Sequence, residues 1–310
     1  MAVRPASLAR PAPVAGRPFT LRGLLEREGV FSWLMLGPGV AFLLAFVAYP
    51  FFYGISLSLQ DRPVTRPGVF VGLANFAALT HDAVFWQVTR NTFVYTIVTT
   101  ILKLVGGMAL ALVMNQTFRG KNLARAFVLL PFIVPTVLST IAWMWILDPT
   151  FSVVNWLLVH GGVITSGFSW LGNASLAMVS IIVVNTWRGV PFYGITLLAG
   201  LQTISPDLHE AAAIDGASAR QRFVYVTLPI LKPVVIIVTM FSVIFTFSDF
   251  QLVYALTNGG PANATNIFAI YAFNLGMLGG QLGLGAAVAL SMLPALALLI
   301  VALTLYLRRD

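Results

Sequence analysis

The sequence predicts an all-α integral membrane protein with six transmembrane helices. Of its 310 residues, 58% are hydrophobic and only 9% are charged, whereas a water-soluble domain carries roughly a quarter charged residues. Crossing a bilayer core takes about 20 mainly apolar residues. Backbone in lipid must satisfy its own hydrogen bonds, so apolar runs of that length form helices rather than barrel strands. The six runs that are long enough are Phe31–Leu59, Asn91–Met114, Arg125–Leu147, Leu176–Leu201, Val234–Ala255 and Leu284–Leu307.

The positions of Lys and Arg predict the orientation of these helices. Most of them lie in the first 27 residues, in the loop after the second run, in the polar segment between the fourth and fifth runs, and at the C-terminus. Since cytoplasmic loops are enriched in Lys and Arg, both termini and the polar segment are predicted to be cytoplasmic. The expected location is the bacterial cytoplasmic (inner) membrane. The net charge of +8 then reflects this bias and attraction to anionic membrane lipid, and no nucleic-acid partner is needed.

Residues 1–30 are predicted to be a cytoplasmic N-terminal tail rather than a transit peptide, and they lack the apolar core of a secretory signal. Residues 31–310 are predicted to form one six-helix domain. The chain has no cysteine, which excludes disulfides, thiolate metal sites and cysteine nucleophiles. The three histidines, His81, His160 and His209, are far apart in sequence, so no metal site is predicted.

The polar segment between the fourth and fifth runs predicts a small helix–turn–helix. Ser205 followed by a proline is a strong helix start, and the alanine run that follows propagates a helix well. Gly216 can adopt the left-handed conformation that ends one helix and allows another to begin. A second short helix is predicted over residues 218–226, limited by Pro229 and Pro233.

One alternative is that this segment is an amphipathic linker that only rests at the membrane interface. Two features argue against it. The alanines form a small-residue surface that suits close packing in a protein groove better than lipid anchoring. Glu210 and Asp215 are also disfavoured beside an anionic membrane.

The segment resembles the EAA coupling motif of ABC importer permeases. The matching stretches are Glu210-Ala211-Ala212, Asp215-Gly216-Ala217 and Leu228-Pro229. The stretches that resemble the carbohydrate-uptake branch of the family are P-F-I-V-P (131–135), D-P-T-F-S-V-V-N-W-L-L (148–158), N-T-W-R-G-V-P-F (185–192) and L-T-N-G-G-P-A-N-A-T (256–265). The G-G-P-A-x-A-T pattern is similar to the first of the two permeases in maltose-type systems. One departure is G-Q-L-G-L-G at residues 280–285, where the family can have Gly-Tyr.

This resemblance implies the type I ABC importer permease fold, with a coupling segment at about residues 205–230. The segment would insert into a cleft on a separate ATP-hydrolysing subunit, where Glu210 would meet a basic group and Gly216 would make the bend. The implied coupling residues are Glu210, Ala211, Ala212, Asp215, Gly216, Ala217 and Pro229.

The resemblance also implies partners: a second homologous permease, two ATP-binding subunits and an extracytoplasmic solute-binding protein. ATP and Mg would be bound by the partner ATPase subunits, and no cofactor is predicted for this chain. Its Gly120-Lys121 pair is not a phosphate-binding loop, because Asn115 replaces the first glycine and Asn122 replaces the Ser or Thr of that motif. The chain is therefore predicted to be a transport subunit and not an enzyme.

Two helical stripes of polar and aromatic residues predict a path for a polar solute. The residues of each stripe recur at i, i+3, i+4 and i+7: Asn185, Arg188, Gly189 and Phe192 in the fourth run, and Ser242, Phe245, Thr246 and Asp249 in the fifth. Polar groups within a bilayer are costly unless they face a cavity or each other. A sugar requires hydrogen-bonding groups for its hydroxyls and aromatic rings for its C–H faces. In maltose-type permeases the matching positions line the substrate cavity, so the resemblance implies the same role here.

Several of these side chains have a second interpretation. Ser242 and Thr246 can bond back to their own helix or allow close helix packing. Arg188 and Asp249 can form a structural salt bridge instead of contacting substrate. Lys103, in the second run, can either extend towards the interface or meet Asp249.

The function favoured by these features is half of the alternating-access path of an ATP-driven importer for a sugar or polyol. The alternative is an ion-coupled secondary transporter of small polar solutes, in which Asp249 and Lys103 would titrate. No paired carboxylates and no nucleophile–base arrangement point to a membrane enzyme. The partly amphipathic run Ile267–Leu275 predicts an external helix at the interface, where the solute-binding protein would dock.

Overall fold

The computed structural model of the chain describes residues 28–307, so the predicted tail lies almost entirely outside the described residues. The chain divides into two compact units, Met1–Tyr53 and Gly54–Asp310. The described part of the first unit is helical. Helix α1 covers Glu28–Leu43, a π-helical turn covers Leu44–Ala48, and α2 covers Tyr49–Ser58, ending in the second unit.

The described part of the second unit is helical apart from one short hairpin. Its first elements are the antiparallel strands β1 (Gln60–Asp61) and β2 (Val69–Phe70), followed by α3 (Ala74–Thr80), α4 (Ala83–Asn115), α5 (Lys121–Ile133), α6 (Thr136–Ile146) and α7 (Val153–His160). The later elements are α8 (Ala174–Leu201), α9 (Pro206–Ile214), α10 (Ala219–Arg222), a π-helical turn (Phe223–Thr227), α11 (Leu228–Phe247), α12 (Gln251–Thr257), α13 (Phe268–Phe273), a π-helical turn (Asn274–Leu278) and α14 (Leu282–Leu307).

Five helical stretches among residues 28–307 are long and apolar enough to cross a membrane, and there are six if the bent pair α5–α6 counts as one span. The five are Ser32–Ser58, Ala83–Asn115, Ala174–Leu201, Ala219–Phe247 and Leu282–Tyr306. Together with the bent pair they correspond to the six predicted runs. The predicted fold class is therefore confirmed.

The third predicted run is not one straight helix. Helices α5 and α6 are bent by 92° relative to each other, and Val134 between them is extended (φ −62°, ψ 132°). Pro135 explains the break, because proline has no N–H to donate and its ring pushes the preceding residue out of the helical conformation. Helix α6, with 11 residues, is too short to cross a bilayer alone.

The prediction that Pro229 and Pro233 limit a separate short helix is wrong. The chain continues as one helical stretch, Ala219–Phe247. Directly before Pro229, the N–H of Leu228 donates to the carbonyl of Phe223, five residues earlier. This wider π turn leaves room for the proline ring, so the helix continues from the polar segment into the membrane-spanning part.

A π turn also precedes Pro50 in the first unit. There the N–H of Tyr49 donates to the carbonyl of Leu44, again a bond to the residue five positions earlier. Both prolines thus follow a wide helical turn, and neither ends its helix.

The fifth predicted run, Val234–Ala255, is also interrupted. Helix α11 ends at Phe247, and α12 begins only at Gln251. The break between them carries Asp249, whose N–H donates to the carbonyl of Thr246 (3.2 Å).

Helices α4 and α8 approach closely because glycines remove side chains from their contact. A Cβ on Gly107 would lie 2.2 Å from the Cβ of Tyr193, and a Cβ on Gly194 would lie 2.6 Å from Cδ2 of Leu110. A larger residue at Gly107 would force the backbone of α8 to move, whereas one at Gly194 would displace the side chain of Leu110. Small residues at such contacts are how helices pack in membranes.

Helix α13 and the π turn after it form where an external helix was predicted, and the placement of that helix at the membrane interface stays a prediction. Phe268, Ile270 and Tyr271 are buried and pack into the core. Tyr271 also donates its hydroxyl to the carboxylate of Asp82 at the start of α4. Burial raises the pKa of the Tyr271 hydroxyl, and the hydrogen bond to the Asp82 carboxylate and its negative charge raise it further.

Candidate functional site

A cavity of about 600 Å³ opens within the second unit, beside α4, α8 and α11. It brings together both predicted stripes, because every residue of each stripe contributes to its wall. The lining residues are Lys103, Phe132, Thr136, Asn185, Arg188, Gly189, Phe192, Tyr193, Ser242, Phe245, Thr246, Ser248, Asp249, Phe250 and Gln251.

The two stripes reach the cavity in different ways. The first lies on the continuous helix α8. In the second, Ser242, Phe245 and Thr246 lie on the last turns of α11, whereas Asp249 follows the end of that helix. The helical spacing still predicted the correct face for Asp249. The N–H groups of Ser248 and Asp249 donate to carbonyls of the last turn of α11, so the backbone keeps a helix-like course up to Asp249.

The carboxylate of Asp249 is held by three donors from three segments. Its Oδ2 atom accepts from the Tyr95 hydroxyl (2.8 Å) and from Nδ2 of Asn185 (2.8 Å), and its Oδ1 atom accepts from the N–H of Leu252 (3.3 Å). The Tyr95 hydroxyl in turn accepts from Nδ2 of Asn185 (2.6 Å). A carboxylate that accepts several hydrogen bonds keeps a defined position in the wall of the cavity.

Tyr95 was missed by the sequence analysis. It lies on α4 with its side chain fully buried, and it is two helical turns before Lys103 on the same face. The signal was therefore present in the sequence, as a polar aromatic residue on a membrane helix in line with a lysine.

The structure contains no Arg188–Asp249 ion pair within 4 Å; the pair of that length among residues 28–307 is Arg66–Asp61. The Nε atom of Arg188 is buried without a hydrogen-bond partner in the described residues. Of the two alternatives for Arg188 and Asp249, the structural salt bridge is therefore not formed in this chain by itself, and contact with substrate stays a prediction. Arg188 contributes a positive charge to the cavity wall without carboxylate contact.

Lys103 neither extends to the interface nor meets Asp249. Its side chain is buried, and Nζ donates to Oγ1 of Thr246 (3.0 Å). The stem passes directly over Gly189, where an added Cβ would lie 2.4 Å from Cε of Lys103. Gly189 is thus a residue of the predicted path that acts by leaving space for the lysine.

Aromatic rings form the apolar part of the cavity wall. Phe245 lines the cavity and is 67% exposed in this chain by itself. Phe132 and Phe192 stack with their ring centroids 5.5 Å apart. The cavity therefore offers flat apolar faces next to the hydrogen-bonding cluster of Asp249 and Asn185.

The polar segment forms at the other end of α8. Ser205 caps α9 by accepting from the N–H of Asp207 (3.4 Å), and Gly216 adopts φ = +82°. Ser218 then begins the next helix with a reciprocal capping box to Gln221. The predicted helix start and left-handed bend are confirmed.

Most of the predicted coupling residues are solvent-exposed. Glu210, Ala211, Asp215, Gly216 and Pro229 are exposed, and Ala212 and Ala217 are partly so. Ile214, a residue that the sequence analysis did not single out, is 87% exposed. An isoleucine that is exposed in this way at the end of a helix suits contact with a partner.

No group of three or more His, Asp or Glu side chains within the described residues is placed to hold a metal ion. His81, His160 and His209 lie on separate elements or their ends. The prediction that this chain binds no cofactor stays a prediction.

Comparison with protein families finds one matching family model, described as "Binding-protein-dependent transport system inner membrane component", over residues 103–309. The chain is 37% identical over 268 residues to the trehalose/maltose transport system permease protein MalF of Thermococcus litoralis. This alignment covers 86% of this chain and 90% of the relative. It is 36% identical over 266 residues to the lactose transport system permease protein LacF of Rhizobium radiobacter, covering 83% of this chain and 87% of the relative.

The fold is similar to a chain in the crystal structure of a bacterial alginate ABC transporter in complex with alginate pentasaccharide-bound periplasmic protein. The TM-score is 0.80 and the sequence identity is 21%, covering 93% of this chain and 97% of that chain. At that identity the similarity concerns the fold.

Proposed function

Because the chain belongs to the family of binding-protein-dependent transport system inner membrane components, we propose that it is the permease subunit of an ATP-driven importer for a sugar or polyol. The resemblance to sugar-importer permeases seen in its motifs is confirmed by its relatives. The observation that carries the proposal is the cavity, which combines the Asp249 cluster with the exposed ring of Phe245.

The cavity chemistry suits a carbohydrate. Sugar hydroxyls need donors and acceptors, which Asn185, Arg188 and Asp249 supply, and the C–H faces of a sugar ring pack on aromatic rings. The relatives named above carry trehalose, maltose and lactose in their descriptions, which supports a neutral disaccharide as the first substrate to test.

The proposed partners are a second homologous permease, two ATP-binding subunits and an extracytoplasmic solute-binding protein. The family description and the periplasmic protein in the alginate transporter complex support this composition. ATP and Mg would be held by the ATP-binding subunits, while this chain contributes half of the path.

Coupling is proposed to occur through α9 and the bend at Gly216. The exposed residues Glu210 and Ile214 would enter a groove of the ATP-binding subunit, and closure of the ATPase dimer would move this segment as a rigid body. Since α10, the π turn and α11 form one continuous helix, such a movement would be transmitted directly to Ser242 and Thr246 in the cavity wall.

The proposed orientation places both termini and α9 in the cytoplasm. It rests on the distribution of Lys and Arg among the loops. The inner-membrane location follows from the family and from the apolar helices.

The test is reconstitution of the chain with its candidate partner subunits in proteoliposomes. We expect ATP-dependent uptake of a disaccharide, and ATP hydrolysis stimulated by the sugar-loaded binding protein. Uptake by this chain without an ATPase subunit, abolished by a proton or sodium ionophore, would instead establish the ion-coupled alternative. A thermal-shift screen of the binding protein against sugars and polyols selects the substrate for the assay.

A further inference from the structure

Helix α7 presents an exposed apolar face that no described residue covers. Val153, Trp156 and Leu157 are 57%, 58% and 57% exposed, and His160 completes this face one turn later. The ring of His160 stacks on Trp156 with centroids 4.2 Å apart, so the two aromatic rings pack together on this side of the helix. The face is called the α7 face below.

The opposite side of α7 is clamped to the loop that follows it. Asn155 is buried and donates to the carbonyl of Phe168 (2.9 Å), while its Oδ1 atom accepts from the N–H of Phe168 (3.1 Å). The same oxygen accepts from Nε1 of Trp170 (2.8 Å). Since these bonds fix the rotation of the helix about its axis, the α7 face points outward for a structural reason and not because the helix is loose.

The position of α7 along the chain keeps it near the membrane. It lies between α6 and the N-terminus of α8, and both of these belong to candidate membrane-spanning segments. Helix α8 has 28 residues, about 42 Å at 1.5 Å per residue. The segment α9 follows the other end of α8, so α7 and α9 lie at opposite ends of a helix long enough to cross the bilayer.

The composition of this segment favours lipid over a soluble protein as its partner. No Asp, Glu, Lys or Arg occurs between Asp148 and Arg188, whereas transient protein interfaces carry a polar, charged rim. Tryptophan is enriched where helices meet the headgroup level of a bilayer. Trp145 at the end of α6 is likewise 67% exposed, and its ring centroid lies 6.4 Å from that of Phe151, two residues before α7.

We propose that α7 lies in the headgroup–acyl boundary of the leaflet opposite α9, with the α7 face inserted between lipids. Because the segment has no Lys or Arg side chain, insertion depends on apolar burial and not on anionic lipid. The helix would thereby hold the connection between α6 and α8 at a fixed depth.

The absence of cysteine from the chain permits a direct test. The importer carrying Leu157→Cys is labelled with a nitroxide and reconstituted in phosphatidylcholine nanodiscs, and collisions with oxygen and with a water-soluble nickel chelate are compared. We expect the oxygen collision rate to exceed the nickel rate. The matched control, Ser166→Cys in the exposed loop after α7, should show the reverse order.

A second label at Val153→Cys repeats the measurement if Leu157→Cys does not assemble, as judged by co-purification of the subunits. Replacing a third of the lipid with an anionic lipid should leave the Leu157→Cys result unchanged; a nickel rate that drops only with anionic lipid would overturn the apolar mode of insertion. Nickel access that is lost only when the solute-binding protein is added would identify a docking site for that protein and overturn the proposal. Low collision rates with both reagents would show that a subunit covers the face, which also overturns it.

Discussion

Asp249 accepts a hydrogen bond from the hydroxyl of Tyr95 over 2.8 Å, which joins α4 to the break that follows α11. Asn185 on α8 donates to both of them. Three segments of the cavity wall therefore meet at one carboxylate.

Replacing Tyr95 with Phe should loosen the cluster, because the ring keeps its packing while Asp249 loses one donor. Loss of a buried hydrogen-bond partner costs about 1–3 kcal/mol. We expect a lower unfolding temperature of the purified complex and weaker sugar uptake. The matched control is Tyr254→Phe on α12, whose ring stacks on Phe250. Equal unfolding temperatures for Tyr95→Phe, Tyr254→Phe and the unaltered protein would contradict the role of this bond.

Replacing Arg188 with Gln should leave assembly intact, since no carboxylate lies within 4 Å of its guanidinium in the described residues. Sugar uptake should fall, because the side chain lines the cavity. Asp249→Ala should reduce both uptake and assembly, as it strands the donors of Tyr95 and Asn185. Co-purification of the subunits and an uptake assay separate the two effects. Failed assembly of Arg188→Gln, rescued by adding Asp249→Asn, would instead establish a salt bridge in the assembled importer.

Replacing Gly189 with Ala should displace Lys103 from Thr246, because the new Cβ would lie 2.4 Å from Cε of the lysine. We expect reduced uptake and a lower unfolding temperature. Gly39→Ala in α1 is the control, since no atom lies within 4 Å of its Cβ position and alanine favours a helix. Shortening the lysine with Lys103→Ala in the Gly189→Ala background should restore the unfolding temperature. If it does not, the steric explanation is incorrect.

Replacing Gly216 with Val should uncouple transport from ATP hydrolysis. Its φ of +82° is strained for a β-branched residue, so the bend between α9 and α10 would be lost. Gly216→Asn is the matched variant, because asparagine tolerates the left-handed conformation, and it should retain most uptake. Binding of sugar to the external binding protein should be unaffected in both. Normal uptake by Gly216→Val would mean that the segment is a passive linker.

Introduced cysteines test the orientation. The thiol introduced by Ser218→Cys should react only with reagents that enter the cytoplasm. The thiol introduced by Ala262→Cys should react with external reagents that do not cross the membrane. Both positions are exposed, and the chain offers no competing cysteine. The opposite labelling pattern would overturn the orientation derived from Lys and Arg.

Local features of the chain were predictable from the sequence. The helix start at Ser205, the left-handed bend at Gly216 and the common face of Asn185 and Arg188 depend on residues within about one helical turn of each other. The family was evident for the same reason, since its motifs are short continuous stretches such as the one around Glu210.

Local rules did not predict how the helices respond to proline, which can either end a helix or be accommodated within it. Pro135 breaks the third predicted run, whereas Pro229, which follows a π turn, leaves its helix continuous. Both prolines lack a donor, and the sequence contains no sign of which response the backbone adopts.

The sequence by itself determined the membrane fold class, the family and the two polar stripes, because these depend on composition and on helical spacing. The tertiary structure alone decided which partners those stripes meet. Tyr95 and Asp249 are 154 residues apart and Lys103 and Thr246 are 143 apart, so no spacing rule connects them. Their contacts arise from the packing of α4 against α8 and α11, and between α4 and α8 glycines permit a separation that larger side chains would prevent.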